Sequence, residues 1–339
     1  MKLALAKATG SVTDLYRWMV RMYAAIPYNL SRTGSSFPAW HFFFEVTRRC
    51  NLRCKMCQYI TWLENTPTKV QAEGELTTEE WFNVIGQTGR WSLITFTGGE
   101  VWVRKDFGEI LDHACAKRRV HVVSNATMLT EDRARHSVEL APKRLGGKGL
   151  NFAGISIDGT REVHDEIRGQ RGAFDKSMKG VRTLAETRRE MGKHCPLIHI
   201  NTVILKDNLE VLPEMPRVAA EAAGIELRLP RTPYEELLTY HERGYDLANY
   251  ECRAVWTNLY VGAKGGVYPC FIQKVGNVRE NTLREIWNNP AMQQFRRRRR
   301  EGGFAVCQGC CELEHKGYAC EMARSQQHQE TQQHSVHAK

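Results

Sequence analysis

The alternation of apolar and polar positions begins with a helix. Leu15, Met19, Met22 and Ile26 recur at helical spacing within Val12–Ile26, with Arg17 and Arg21 elsewhere on the turn, the signature of one apolar face. This predicts a helix packed on the domain surface. The alternative is weak contact with a membrane surface, with Trp18 and Tyr23 at the interface. Ser31–Ser36 reads as a linker. From Trp40 onward short apolar, β-branched or aromatic runs alternate with helical stretches. The runs are His41–Val46, Leu93–Phe96, Val120–Val123, Phe152–Ile157, Leu197–Leu205 and Ile225–Leu229, and the helices include Thr78–Gly86, Phe107–Lys117, Phe174–Met191 and Leu212–Ala223. Strands spaced in this way predict an α/β fold with a parallel sheet covered by helices. Six strands are too few to close an eight-stranded barrel, so the expectation is a curved, partly open barrel with its reacting residues at the C-terminal strand ends.

After Tyr234 the alternation stops. Residues 250–320 hold six of the eleven cysteines, with Gly265-Gly266 and Gly302-Gly303 as turn signals. The expected division is an N-terminal helical extension over 1–38, the barrel over 39–235, a small cysteine-rich domain over 236–323 and a disordered tail over 324–339.

The chain of 339 residues is long enough for one large core and a smaller one, and its 42% hydrophobic and 25% charged residues are those of a globular protein. No run approaches the roughly 20 apolar residues of a membrane span, and no signal peptide is recognised at the N-terminus. The expectation is a cytoplasmic protein. In a reducing compartment clustered cysteines point to metal rather than disulfides, and an odd total argues against complete pairing. The net charge of +10 draws much of its excess from Arg296–Arg300, which reads as a solvated helix face. No nucleic-acid-binding motif accompanies it, and no nucleic-acid partner is expected.

The first strand runs directly into Cys50, Cys54 and Cys57, a C-x3-C-x2-C loop. Three closely spaced thiolates suit a cuboidal iron–sulfur cluster with one iron left open. A structural zinc site is the alternative, and it would need a fourth ligand from elsewhere in the chain, since the loop offers none.

This loop resembles the signature of the radical S-adenosylmethionine (radical SAM) superfamily, in which it follows the first strand of a partial (β/α)6 TIM-like barrel. The resemblance implies that Cys50, Cys54 and Cys57 hold a [4Fe–4S] cluster whose open iron chelates S-adenosylmethionine. One electron from an external donor such as flavodoxin or ferredoxin then yields a 5′-deoxyadenosyl radical that takes a hydrogen atom from the substrate. Met56 stands where an aromatic residue often packs on adenine. Thr97-Gly98-Gly99-Glu100 after the second strand is similar to the family's G-G-E motif, with Glu100 expected to accept from a bound ammonium. Ser124-Asn125 resembles the polar pair near the ribose, and Ser156-Ile157-Asp158-Gly159 the segment whose Ser156 and Asp158 reach the ribose or methionine. His164–Asp175 also matches, with Arg168 either a carboxylate contact or a structural ion pair. Asn201-Thr202-Val203 resembles the adenine-proximal segment, and Arg228 and Arg231 read as solvated.

The second cysteine group resembles the C-terminal auxiliary-cluster domain of the family's twitch/SPASM members. Cys252, a Gly265-to-Cys270 hairpin, Gly276-Asn277-Val278, a helix over Leu283–Trp287 and Cys307-x2-Cys310 follow in the family's order. The shorter twitch form implies one auxiliary iron–sulfur cluster held by Cys252, Cys270, Cys307 and Cys310, with Cys311 or Cys320 as substitutes. A zinc ribbon is the competing use of these residues. Four thiolates leave no iron for substrate and imply electron transfer, hence an oxidised product. Cys311 or Cys320 as hydrogen donor implies redox-neutral epimerisation instead, and a non-catalytic iron–sulfur or zinc protein is the third class. Cys115 and Cys195 read as ordinary buried residues. The 38 residues before the first strand are too few for a leader-binding domain, which favours a small metabolite over a peptide as substrate.

Overall fold

A computed structural model describes residues 12–223, 244, 246–308, 310 and 313–315, without the side chains of 12–18, 21, 223, 314 and 315. The expected strand Ile225–Leu229, Arg228, Arg231, Cys311, Cys320 and the tail lie outside the described residues. The chain falls into two compact units that interleave in sequence, one of 38–241 and 258–289, the other of 1–37, 242–257 and 290–339.

The larger unit is built on one sheet. Strands β1 (His41–Thr47), β2 (Leu93–Gly98), β3 (Arg119–Ser124), β4 (Gly149–Ser156) and β5 (Leu197–Asn201) pair in parallel in consecutive order. Such neighbours need a crossover between them, and helices Thr78–Gly86, Phe107–Lys117, Glu131–Glu139 and Ala173–Glu190 provide it. This is the strand and helix order of the partial barrel. β5 is shorter than the apolar run suggests. It ends at Asn201 because the Thr202 hydroxyl donates to Ile157 O at 2.7 Å and the Val203 N–H donates to Asp158 Oδ1 at 2.9 Å, drawing the chain out of the ladder.

Local chemistry sets the helix starts. Thr77 and Glu80 form a reciprocal capping box, after which Trp81, Val84 and Ile85 form one buried stripe. Phe42, Phe44 and Val46 of β1 are buried beside Phe96 and Trp81. Each such ring or branched chain contributes roughly 1.5–3 kcal/mol.

In the smaller unit β6 (Tyr250–Glu251) precedes the return of the chain to the large sheet. There β7 (Asn258–Val261) pairs in parallel with β1, and β8 (Gly266–Tyr268) and β9 (Gly276–Asn277) extend the sheet antiparallel. β10 (Glu314–His315) pairs antiparallel with β6.

Two expectations for the smaller unit are corrected. Met19, Met22 and Ile26 of helix Val12–Leu30 are 44–48% exposed, whereas Ala24 and Pro27 are buried. The apolar stripe is therefore not the packing face. The arginine run is not simply a solvated face either. In helix Pro290–Glu301, Arg296 and Arg299 lie one turn apart and are buried. Arg296 donates from Nε to Val255 O at 2.9 Å and from Nη1 to Gly34 O at 3.1 Å. Burial lowers its pKa to about 9. Arg300 donates to Tyr28 O and Ser31 O, each at 2.9 Å, and Arg297 to Thr33 O. Among the described residues no helix is long and apolar enough to cross a membrane.

Candidate active site

The C-x3-C-x2-C loop leaves β1 at its C-terminal end and is fixed by backbone groups of distant segments. Gly99 N–H donates to Thr47 O at 2.8 Å and Glu100 N–H to Arg49 O at 2.9 Å. From the other side, Arg53 N–H donates to Arg168 O at 3.3 Å and Lys55 N–H to Ile167 O at 2.9 Å. These approaches leave no room for side chains. A Cβ on Gly99 would stand 2.2 Å from Arg49 O. One on Gly169, whose φ is +66°, would stand 2.2 Å from Arg53 O. In the structure these glycines admit the cysteine loop itself.

Each sulfur already receives a donor. Leu52 N–H points at Cys50 Sγ (3.4 Å), Tyr59 N–H at Cys57 Sγ (3.4 Å) and Arg168 Nη1 at Cys54 Sγ (3.7 Å). Cys54 is buried with Leu52 and Ala173, and Cys50, Met56 and Cys57 pack against them. Burial, helped by the neighbouring sulfurs and Glu100, pushes the Cys50 thiol up to about 12. Burial also raises Cys54, opposed by Arg168. Three clustered thiols, each with an N–H donor, fit a cationic iron cluster, which ionises such thiols on binding.

The other expected site residues bind one another first. Glu100 has no exposed surface, and accepts from Ser124 Oγ (2.8 Å), Asn125 N–H (2.8 Å) and Trp102 N–H (3.3 Å). Asn125 also donates to Asn51 Oδ1 within the cysteine loop at 3.0 Å. The G-E turn after β2, the polar pair after β3 and the cysteine loop after β1 are thereby tied into one network. Asp158 is likewise fully buried. Its Oδ2 lies 2.6 Å from Arg168 Nε, off the hydrogen-bonding axis, so the contact is an ion pair without a well-aligned hydrogen bond. Arg168 is thus an ion-pair partner and a sulfur donor at once. Asp158 N–H donates to His164 Nδ1 at 3.1 Å, and burial beside Arg168 lowers His164 to about 4, so the ring is neutral and accepts. Ser156 pairs with Asn201 at the end of β4.

Just after the cysteine loop, at Gln58 and Tyr59, a cavity of about 220 Å3 opens between β1, β2 and β7, lined also by Glu45, Arg48, Thr97, Gly98 and a set of aromatic rings. Sequence reasoning missed Glu45, Arg48 and Tyr59. The available signal was a carboxylate inside the otherwise apolar strand Phe42–Val46. Further down, His41 Nε2, Thr95 Oγ1 and His121 Nδ1 form a chain of 2.7 Å and 3.1 Å contacts. Burial lowers all of His41, His121 and His199, leaving neutral rings. In the smaller unit Cys252 and Cys307 are buried and Cys310 is exposed, while Cys270 belongs to the larger unit directly after β8.

Residues 44–215, about half of the chain, match the profile of the Radical SAM superfamily. The chain belongs to that superfamily. Residues 252–311 match the SPASM profile, an iron–sulfur cluster-binding domain. This radical SAM chain is therefore an enzyme that uses S-adenosylmethionine, a [4Fe–4S] cluster and auxiliary iron–sulfur chemistry. It is similar to the Fe-coproporphyrin III synthase of Methanosarcina barkeri, 30% identical over 61% of this chain and 46% of that protein. The Bacillus subtilis subtilosin biosynthesis protein AlbA is 25% identical over 79% of this chain and 64% of its own length. An AdoMet-dependent heme synthase of Nitratidesulfovibrio vulgaris is 26% identical over 79% and 86%. The radical SAM chain thus spans about half of the first relative and under two thirds of the second. Streptococcus suis SuiB bound to S-adenosylmethionine shares the fold, with a TM-score of 0.55 at 17% identity over 79% of this chain and 68% of that one.

Proposed function

We propose that this radical SAM enzyme oxidises a small, carboxylate-bearing substrate by hydrogen-atom abstraction. We assign Cys50, Cys54 and Cys57 as the ligands of the cofactor-binding cluster. The observation that supports this most directly is the three thiols on one loop held by backbone hydrogen bonds, each with its own N–H donor. When bound, the cluster and S-adenosylmethionine supply a 5′-deoxyadenosyl radical on receipt of one electron from an external donor. The chain's own residues hold the loop and shape the neighbouring cavity. Met56, Thr97, Gly98, Gly99, Ser124, Asn125 and Ser156 form the proposed cofactor-facing set. Glu100 and Asp158 enter it as positioning residues, because their oxygens are occupied by protein partners.

The order of Cys252, Cys270, Cys307 and Cys310 within the matched iron–sulfur domain supports their assignment to an auxiliary cluster. A cluster with four protein thiolates takes electrons rather than substrate, which favours an oxidised product. Two relatives are named for making heme or Fe-coproporphyrin III and one for bacteriocin biosynthesis. The first two favour a small molecule here. The test is anaerobic reconstitution with iron and sulfide, then dithionite and S-adenosylmethionine. 5′-Deoxyadenosine is expected, and with substrate, a two-electron-oxidised product without added oxidant. Recovery of isomer alone would sink the oxidative reading.

A further inference from the structure

The cavity shares Thr97 and Gly98 with the proposed cofactor-facing set, and its other walls have features that binding the cofactor does not require. Its polar edge is Glu45, Tyr59 and Arg48. Glu45, 7% exposed, accepts from Tyr59 OH, from Ala263 N–H at 3.2 Å and from Arg48 Nε at 3.3 Å. Arg48 lies over the Tyr59 ring, 5.3 Å from its centroid, with its side chain 30% exposed. Among the described residues its two Nη atoms have no hydrogen-bond partner, so the planar end of the fork is presented unpaired at the cavity. The opposite wall is aromatic. Phe43 stacks on Tyr260 at 4.5 Å and 14°, and Tyr260 meets Phe271 at 4.6 Å. Phe271 follows Cys270 and is 58% exposed, unusual for so large an apolar ring.

We propose that this cavity is the recognition subsite for a ring-bearing carboxylate arm of the substrate, with Arg48 as anion anchor and Phe43, Tyr260 and Phe271 as the ring wall. The inference rests on the radical-enzyme reading and adds the substrate class to it. A guanidinium fork takes a carboxylate or a phosphate bidentately. Glu45 lies 3.3 Å from Arg48 Nε and offsets most of its net charge, so a dianion gains little extra attraction against its larger desolvation cost, which favours the carboxylate. Stacked and tilted rings favour a flat group over a branched aliphatic one. Whole-ligand pockets typically run about 300–1,000 Å3. A cavity of about 220 Å3 therefore admits one ring and its acid arm rather than an entire large substrate.

The experiment is calorimetric titration of the anaerobically reconstituted full chain with indole-3-propionate, its amide and phenyl phosphate. The acid is expected to bind at least tenfold more tightly than the amide and more tightly than the phosphate. Arg48→Gln should weaken the acid at least tenfold and leave the amide unchanged, with Arg48→Lys intermediate. Phe271→Ala should weaken acid and amide alike, by about threefold or more. Equal binding of acid and amide, no binding of the acid at millimolar concentration, or tighter binding of the phosphate overturns the proposal. So does a loss of S-adenosylmethionine affinity in Arg48→Gln, which would assign the cavity to the cofactor. 5′-Deoxyadenosine release is measured on the same samples. Its absence in the unaltered chain counts against the radical-enzyme reading and leaves the binding comparison standing.

Discussion

The larger unit shapes its cysteine loop with backbone against backbone, whereas the smaller unit is stitched together by arginine side chains. Around Cys50–Cys57 two glycine-bearing turns press against carbonyls of the loop, and four N–H groups close the contacts. In the smaller unit Arg296, Arg297 and Arg300 reach from one helix to carbonyls of residues 28–34 and 255. Contact between backbones demands glycine at fixed positions and so leaves a motif. A long side chain reaching a carbonyl demands only that a fork arrive, and leaves a run of charge that looks like surface.

The two strategies fail differently. Cys54→Ala should abolish 5′-deoxyadenosine formation and remove the iron of one cluster, measured by iron analysis and product chromatography. Cys307→Ala should lose the same quantity of iron yet still release 5′-deoxyadenosine with dithionite. If both variants behave alike, the two cysteine groups are not separate centres. Arg168→Leu strands Asp158 as an unpaired buried charge and should lower stability by about 3–5 kcal/mol in denaturant titration. Gly169→Ala places a Cβ against Arg53 O at a left-handed φ, and should cost roughly 2–4 kcal/mol together with cluster occupancy. Arg296→Met removes the donors to Val255 O and Gly34 O and should cost about 1–3 kcal/mol with iron content unchanged. The smallest effect is a pH dependence. His164, neutral in the fold down to about 4, takes up its proton earlier in the unfolded chain. Its contribution is fully present above about pH 6.5 and is lost as pH falls from there through about 4. His164→Gln should flatten the unfolding free energy across that window.

Much of this architecture is legible without coordinates. Helices Thr78–Gly86 and Phe107–Lys117 fall where the alternation of apolar runs puts them, and Leu283–Trp287 where the resemblance does, because short-range chemistry decides them. The cysteine loop, the G-G-E turn and the Ser156–Gly159 segment are contiguous and visible for the same reason. What the chain hid is tertiary. Nothing local says that Glu100 is consumed by Ser124 and Asn125, that Arg168 reaches Cys54 across 114 positions, or that β7 joins β1. Arg296 was misread because its burial depends on carbonyls 41 and 262 residues away. The stripe of Met19, Met22 and Ile26 has helical spacing whichever face packs, so periodicity found the helix and not its orientation.

The clamp formed by residues 167–169 has a bearing on loss of the metal. Arg53 and Lys55 are bonded to that helix end through peptide groups that owe nothing to iron. A chain stripped of its metal is therefore expected to keep amide protection at Arg53 and Lys55, which hydrogen exchange on the iron-depleted protein would measure. With that protection, resupplied iron and sulfide would meet a loop already held against its helix end.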